Sequence, residues 1–91
     1  LGDVYKRQIV HDGRGKEVIF DLDGNWLLTS WDVSWNEVPE NVKTVAQAQY
    51  PGYRMDDADF VETPTASYYL IEMEQGEREI KVKVAADGTV L

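Results

Sequence analysis

The last 25 residues of the chain, "SYYLIEMEQGEREIKVKVAADGTVL" (residues 67–91), alternate apolar and polar side chains with a period of two. This period indicates β-strands that bury one face and expose the other, and it runs through residues 67–74 and 78–85. The side chains predicted to face the core are Tyr69, Ile71, Met73, Ile80, Val82 and Val84. The two segments therefore predict an antiparallel hairpin.

The loop of this hairpin decides which side chains face each other across the two strands. A tight two-residue turn at Gln75-Gly76 would place Glu72 opposite Glu79, whereas a four-residue loop over Gln75–Arg78 places Glu72 opposite Lys81. Opposite charges stabilise a cross-strand pair, and like charges destabilise it. We therefore expect the longer loop.

The chain ends on a phrase that it has already used. The segment "VAADGTVL" (residues 84–91) has the layout of "FDLDGNWL" (residues 20–27), with the two Asp-Gly pairs 64 positions apart. Asp-Gly supplies the positive φ that tight turns need, so each pair predicts a turn between two strands. Residues 89–91 are expected to return as a short edge strand, and residues 16–35 are expected to form a hairpin.

The second strand of the front hairpin has its own alternation. Its odd positions are the more apolar set and are predicted to face the core: Leu27, Thr29, Trp31, Val33 and Trp35. Its even positions are predicted to face away: Trp26, Leu28, Ser30, Asp32 and Ser34. This assignment places one tryptophan, Trp26, on the face opposite the core.

The period becomes helical from Pro39 to Tyr50. Mostly small apolar residues recur there at helical spacing: Val38, Val42, Val45, Ala46 and Gln49. Proline suits the first helical turn, and Pro51-Gly52 ends the helix. The strand that follows, residues 53–62, alternates imperfectly, which predicts a bulge near Asp57 or Asp59.

Together these elements predict an α+β domain with an internal repeat. Residues 36–91 form a complete helix-plus-four-strand repeat, in which one helix packs on one face of an antiparallel four-stranded sheet. Residues 9–35 are expected to be the C-terminal hairpin of a truncated first repeat, which extends that sheet. Residues 1–8, "LGDVYKRQ", show no alternation, and we predict that they are a non-native scar outside the fold.

The segment from Val38 to Leu91 resembles the PepSY-like, β-lactamase-inhibitor-like family of exported bacterial proteins. The features that carry the resemblance are a Pro-initiated helix closed by Tyr50-Pro51-Gly52-Tyr53, the strand end Val61-Glu62-Thr63, the pair Tyr68-Tyr69 and the closing Asp87-Gly88. The resemblance implies helices on one face of an antiparallel sheet, an open opposite face, and a periplasmic or secreted location. It supplies no catalytic residues and no cofactor.

The composition excludes several kinds of partner. Seventeen acidic residues against nine basic ones give a formal charge of −8, which repels nucleic acids and anionic membrane surfaces. No apolar run is long enough to insert into a membrane. The chain has no cysteine, so thiol catalysis and thiolate metal sites are absent.

Candidate catalytic and metal residues are few. The single histidine, His11, lies beside two glycines and next to the predicted scar, so no catalytic residue is assigned. The segment "DLDGNWLLTSWD" has Gly24 and Asp32 at the wrong positions for a calcium loop, and a hairpin turn is preferred. The acids Asp56, Asp57 and Asp59 would hold a weak cation only if a bulge brought them together, so no metal ligand is assigned.

The aromatic and large apolar residues predicted on the open face give the main functional hypothesis. They are Trp26, Leu28, Tyr68 and Leu70, with Phe60 as a possible addition. Such clusters mark interaction surfaces. We expect a non-enzymatic module that binds a protein or peptide there, with acidic neighbours that select against acidic partners.

Three other outcomes stay open. The resemblance implies, as one specific version, an inhibitor of an exported hydrolase. If the domain is a structural or folding-assistant unit without a ligand, the open face packs against a preceding repeat. A weak calcium-binding protein is the third functional class. An unpaired sheet edge would also allow self-association.

Overall fold

The computed structural model describes residues 3–91, which form a six-stranded antiparallel sheet and one α-helix. The elements are β1 (Val4–His11), β2 (Arg14–Asp21), β3 (Trp26–Asp32), a 3₁₀ turn (Trp35–Glu37), α1 (Glu40–Gln49), β4 (Arg54–Glu62), β5 (Ser67–Gln75) and β6 (Arg78–Ala85). The strands lie in the sheet in chain order, and α1 is part of the connection from β3 to β4.

The sheet has six strands, so the prediction of a four-stranded sheet extended by a hairpin is wrong. Strand β3 pairs with β4 from Thr29↔Glu62 to Asp32↔Asp59, and this ladder joins the front hairpin and the later strands in one sheet. The predicted strand at residues 89–91 contributes only an isolated bridge between Val84 and Val90. Val90 is 52% exposed, so little buried surface holds this segment against the sheet.

Strand β1 includes residues that the sequence analysis places outside the fold. Residues 4–8 of the predicted scar pair with β2, while residues 1 and 2 lie outside the described part of the chain. Seven of the eight β1 side chains are exposed, so backbone hydrogen bonds form the strand without an apolar period in the sequence. Whether residues 1–8 are native stays a prediction.

The core lies between α1 and strands β4 to β6. Its buried residues are Val38, Val42 and Ala46 from the helical segment and Ala58, Ile71, Met73, Val82 and Val84 from the sheet. We call the side of the sheet that carries Ile71 and Met73 the helix face, and the side that carries Tyr68 and Leu70 the open face. The predicted helix and its small buried side chains are confirmed, since small residues let a helix approach a sheet closely.

Two bulges change which residues share a face. In β4 the register shifts between Met55 and Asp57, which confirms the bulge predicted there. In the β2–β3 ladder Ile19 pairs with Leu28, but Phe20 pairs with Trp26, so Leu27 is an extra residue on β3. Because neighbours on a strand point to opposite faces, this second bulge places Trp26 and Leu28 on opposite sides of the sheet.

The core assignment for the odd residues of β3 is correct only in part. Trp31 pairs with Phe60 on the helix face, and Val33 packs against the core. Leu27 and Trp35 are each 38% exposed, so their assignment to the core is wrong. The reason is local, since Leu27 is the bulged residue and Trp35 begins the 3₁₀ turn.

The β5–β6 hairpin has the predicted register with a shorter loop. Glu72 pairs with Lys81, as opposite charges favour. Gln75 and Arg78 also pair with each other, so the loop has two residues rather than four. Gly76 in that loop has a φ of 61°, which glycine adopts without steric cost.

The two Asp-Gly turns have matching backbone hydrogen bonds. Gly24 N donates to Asp21 O at 3.0 Å, and Gly88 N donates to Ala85 O at 2.8 Å, with φ values of 85° and 93° at the two glycines. A second backbone hydrogen bond also matches between the two turns: Asp21 N donates to Asn25 O, and Ala85 N donates to Thr89 O. The turns are therefore alike in structure as well as in sequence, whereas the division of the chain into repeats stays a prediction.

Candidate functional site

The open face carries a contiguous group of apolar side chains near the middle of the sheet. Ile19 pairs with Leu28 across β2 and β3, and Val61 pairs with Tyr68 across β4 and β5. Leu70 follows Tyr68 by two residues and therefore points to the same side. We call Ile19, Leu28, Val61, Tyr68 and Leu70 the open-face patch. All except Val61 keep part of their surface accessible to solvent.

Three of the five residues predicted for the binding surface lie together in this patch. They are Leu28, which lies after the bulge of β3, and Tyr68 and Leu70, which follow the regular alternation of β5. The sequence pattern did not assign Ile19 and Val61 to this surface. A signal was present for Ile19, because neighbours on a strand point to opposite faces and Ile19 lies between Val18 and Phe20.

The other two predicted residues, Trp26 and Phe60, lie on the helix face, so their placement on the open face is wrong. The bulge at Leu27 turns Trp26 to the helix face, where its indole Nε1 donates a hydrogen bond to Thr29 Oγ1 at 2.9 Å. Phe60 pairs with Tyr69, and the two ring centroids are 4.9 Å apart. Neither ring contributes to the open-face patch.

Acidic side chains lie beside the open-face patch. Carboxylate oxygens of Asp32, Asp57 and Asp59 all approach within 4.8 Å of one another on neighbouring strands. The pKa of Asp59 is raised to about 7, first by burial and then by a hydrogen bond with Asp32 and the charges of Asp32 and Asp57, while Lys81 opposes the shift. Asp59 therefore carries a proton in mildly acidic solution.

The pKa of a second acid on this face, Glu72, is also raised. Partial burial is the largest cause, followed by the negative charges of Glu79 and Asp56, while Lys81 again acts in the opposite direction. A lysine on β6, Lys83, stands with its Nζ 5.0 Å from the centre of the Tyr68 ring. The open face thus combines an apolar centre with a predominantly acidic side.

The sequence "DLDGN" forms a hairpin turn, as predicted in preference to a calcium loop. Asp21 accepts hydrogen bonds from the backbone N–H groups of Asn25 at 2.9 Å and Asp23 at 3.0 Å. The bonds from Asn25 are the main reason that the pKa of Asp21 is lowered. The Asp21 carboxylate therefore stabilises the turn between β2 and β3.

His11 lies at the end of β1, where its Nδ1 is 3.0 Å from Lys16 Nζ and 3.4 Å from Asp12 Oδ2. Neither neighbour is a hydroxyl or thiol nucleophile, so these contacts give no support to a catalytic role for the histidine. Within residues 3–91, no helix is long and apolar enough to cross a membrane.

Comparison with known proteins gives one family. A family model described as "Putative beta-lactamase-inhibitor-like, PepSY-like" matches residues 5–91. Among curated proteins there is no match to this chain. The matched span includes all of strands β2 to β6 and nearly all of β1.

Solved structures of Bacteroides proteins have the same fold. A BLIP-like protein of Bacteroides fragilis is 30% identical, with a TM-score of 0.84, and the match covers 100% of this chain and 67% of that chain. A DUF2874 family protein of Bacteroides uniformis is 20% identical over 97% of this chain and 67% of that chain, with a TM-score of 0.83.

A third structure, from Bacteroides eggerthii, is described as "putative periplasmic proteins". It has a TM-score of 0.81 and 20% identity, and the match covers 97% of this chain and 67% of that chain. At 20% identity, the second and third structures show the fold alone. This chain therefore spans about two thirds of the length of each of the three proteins.

Proposed function

Because this chain belongs to the PepSY-like, β-lactamase-inhibitor-like family, we propose that it is a non-enzymatic extracytoplasmic module that binds a protein or peptide on its open face. A periplasmic or secreted location is part of the proposal, and it is supported by the description of one structural relative as periplasmic. Inhibition of an exported hydrolase is the specific version that the family name suggests.

The observation that carries the proposal is the uncovered open-face patch. Leu28, Tyr68 and Leu70 lie together on a rigid sheet, and no helix or strand of residues 3–91 packs over them. Apolar and aromatic side chains held in place by a sheet lose little conformational freedom when a partner covers them. The patch is therefore suited to central contacts of an interface.

The charges around the patch indicate the character of the partner. Asp32, Asp57, Asp59 and Glu72 stand on the acidic side and outnumber Lys81 and Lys83 on the same face. In their ionised forms these acids would repel a carboxylate that approached them. Lysine or arginine side chains at the rim of the partner would pair with these acids. We therefore propose a partner segment with apolar central residues and a net positive charge.

Selection from a library of random peptides displayed on phage tests this proposal with the whole chain as bait. We expect enriched peptides that combine apolar or aromatic residues with lysine or arginine. The variant Leu28→Ser/Tyr68→Ser removes two side chains of the patch, and it should lose these peptides while it keeps its thermal unfolding transition.

A matched control is Trp26→Ser, because it removes a tryptophan that is 36% exposed but lies on the helix face. This variant should retain the peptides. Enrichment that survives Leu28→Ser/Tyr68→Ser, or that disappears in Trp26→Ser alone, would contradict binding through the open-face patch.

The alternative proposal is a structural or folding-assistant unit without a ligand. In that case, a preceding repeat packs against the open-face patch in a longer chain, and the division into residues 9–35 and 36–91 marks the join. Leu28→Ser/Tyr68→Ser would then lower the melting temperature of the longer protein, and no peptide would be enriched.

A weak calcium-binding domain is the third class. Asp32, Asp57 and Asp59 converge, but calcium takes six to eight oxygen ligands, and three acids near the surface form a cluster of a kind that is common without an ion. No metal is assigned to them. A calcium-binding domain would show a higher melting temperature in millimolar calcium than in matched magnesium.

A further inference from the structure

A cavity of about 330 Å³ lies on the helix face, on the other side of the sheet from the open-face patch. Three aromatic rings line it in a row: the centroids of Trp31 and Phe60 are 5.0 Å apart, and those of Phe60 and Tyr69 are 4.9 Å apart. A cavity of this volume is near the lower end of the range for small-molecule sites. It is large enough for one aromatic group.

A buried lysine points into this cavity. Lys16 is only 8% exposed, and it is the one buried residue in strands β1 to β3. Its Nζ lies 4.1 Å from the centre of the Trp31 ring and 3.0 Å from His11 Nδ1. The ion pairs found within residues 3–91 do not include Lys16, so its charge has no carboxylate partner there.

The predicted internal repeat has an apolar residue at the position equivalent to Lys16. At the offset of 64 residues, Lys16 corresponds to Ile80, which packs against the core on β6. An ammonium group in place of a core side chain carries a desolvation cost that the ring and the imidazole offset only in part. A charged residue that breaks the local pattern in this way is typical of a functional position.

Within residues 3–91, neither of the two acids that line the cavity forms an ion pair with Lys16. Glu37 forms an ion pair with Arg14 and accepts a hydrogen bond from Ser34 N at 3.0 Å, and these bonds lower its pKa. Asp12 lies beside His11. Lys16 is therefore left to pair with an anion from outside the chain.

The hydroxyl of Tyr69 adds a neutral donor at the same cavity. Burial, and then the charge of Glu37, raises the pKa of Tyr69, so the phenol keeps its proton. A phenol donates a hydrogen bond to a carboxylate, and aromatic rings stack on one another. The cavity thus offers a cation, a neutral donor and an aromatic floor.

We propose that this cavity binds a carboxylate carried on an aromatic body, with the carboxylate on Lys16 Nζ and the ring against Trp31 and Phe60. Two sources share this chemistry: a free aromatic acid, and the C-terminal aromatic residue of a peptide. The site is separate from the open-face patch, so it does not rest on the proposed partner binding.

Titration calorimetry and proton NMR with indole-3-acetate at about pH 7.5 test the proposal on the whole chain. We expect calorimetry to show saturable binding of indole-3-acetate, and NMR to show a shift of the indole N–H resonance of Trp31. Indole-3-acetamide and acetate should each bind at least about tenfold more weakly. Lys16→Met should weaken indole-3-acetate binding by about tenfold or more.

The matched control is Lys83→Met, because Lys83 also stands over an aromatic ring, that of Tyr68, but on the open face. It should bind indole-3-acetate like the unaltered chain. Melting curves of both variants establish that they fold. Methionine should be tolerated at position 16, because the aligned position 80 carries isoleucine.

The proposal is overturned if indole-3-acetate does not bind, if its amide binds equally well, or if Lys83→Met weakens binding as much as Lys16→Met. A short peptide that ends in tryptophan, compared with its C-terminal amide, distinguishes the two sources. Tighter binding of the peptide acid identifies a chain terminus as the ligand, and tighter binding of indole-3-acetate identifies a free acid.

Discussion

Asp59 combines a position on the sheet with an unfavourable charge environment. It pairs with Asp32 across one ladder and with Leu70 across the other, so carboxyl groups and an apolar side chain surround it. Its pKa of about 7 lies above the ordinary aspartate value of 3.8, because partial burial and the nearby acids disfavour the ionised form. The folded chain therefore binds this proton more tightly than the unfolded chain does.

The raised pKa predicts that Asp59→Asn stabilises the chain at neutral and alkaline pH. The ionised carboxylate destabilises the folded state, and this cost is small near pH 4, grows as the pH rises and is complete above about pH 7. Thermal unfolding followed by circular dichroism should show a higher melting temperature for the variant at about pH 8 and almost none of this difference at about pH 4.

The control for that measurement is Asp23→Asn, which makes the same change in net charge at the exposed β2–β3 turn. A gain of equal size in Asp23→Asn would mean that net charge, and not the site around Asp59, is responsible. Asp32, Asp57, Glu72 and Lys81 face the same region, so the whole pH curve has to be compared rather than one point.

At the scale of single elements, the helix and the sheet beneath it should carry most of the stability. Ile71 is fully buried under α1, whereas Ile19, an identical side chain, is only partly buried in the open-face patch. We expect Ile71→Ala to lower the free energy of unfolding by about 2–5 kcal/mol, because the cavity left behind cannot collapse fully.

Ile19→Ala is the matched substitution and should cost less than about 1.5 kcal/mol in the same urea titration. Equal costs would mean that the open face is as well packed as the core. In that case, the open-face patch would contribute to stability and would not be a free surface.

The elements with a regular apolar period, and the β2–β3 hairpin with its Asp-Gly turn, could be predicted from the sequence, whereas β1 could not. Helix α1 and the β5–β6 hairpin bury apolar side chains at their proper periods, so the pattern reports them directly. Strand β1 has almost no buried side chain and leaves no such pattern. The extra residue Leu27 likewise has no signal, and it alone puts Trp26 on the unexpected face.

The candidate sites follow the same rule. Tyr68 and Leu70 lie on a regular strand, and alternation places them correctly. The cavity around Lys16 depends on a contact between β2, β3 and the segment near Glu37, which no period in one segment reveals. A signal was available in the matching Asp-Gly segments, whose offset of 64 residues aligns Lys16 with Ile80, a partly buried residue that packs against the core.

The molecule as a whole has its core at one end. It measures 43 × 29 × 23 Å, and α1 packs on the half of the sheet formed by β4, β5 and β6. The other half is a single layer whose only buried side chain belongs to Lys16. Its outer strand, β1, has eight residues and no further strand beside it within residues 3–91.

An outer strand of this length without proline predicts self-association between two copies of the chain. Unpaired N–H and C=O groups on β1 would pair with those of a second β1, and the opposite edge is less available because residues 90 and 91 contact β6. Light scattering coupled to size-exclusion chromatography should show a dimer fraction that grows between roughly 10 μM and 1 mM.

Gln8→Lys/Val10→Lys should abolish that growth, because each copy would bring two additional positive charges to a β1–β1 interface and the copies would repel each other. Neither position is buried in the single chain. Thr65→Lys/Ala66→Lys adds the same charge in the exposed β4–β5 loop and should leave the dimer intact. A chain that stays monomeric at every concentration, or a dimer that both variants disrupt equally, would rule out pairing through β1. Loss of the dimer in Gln8→Lys/Val10→Lys alone would assign the contact to β1, the strand that the sequence pattern did not predict.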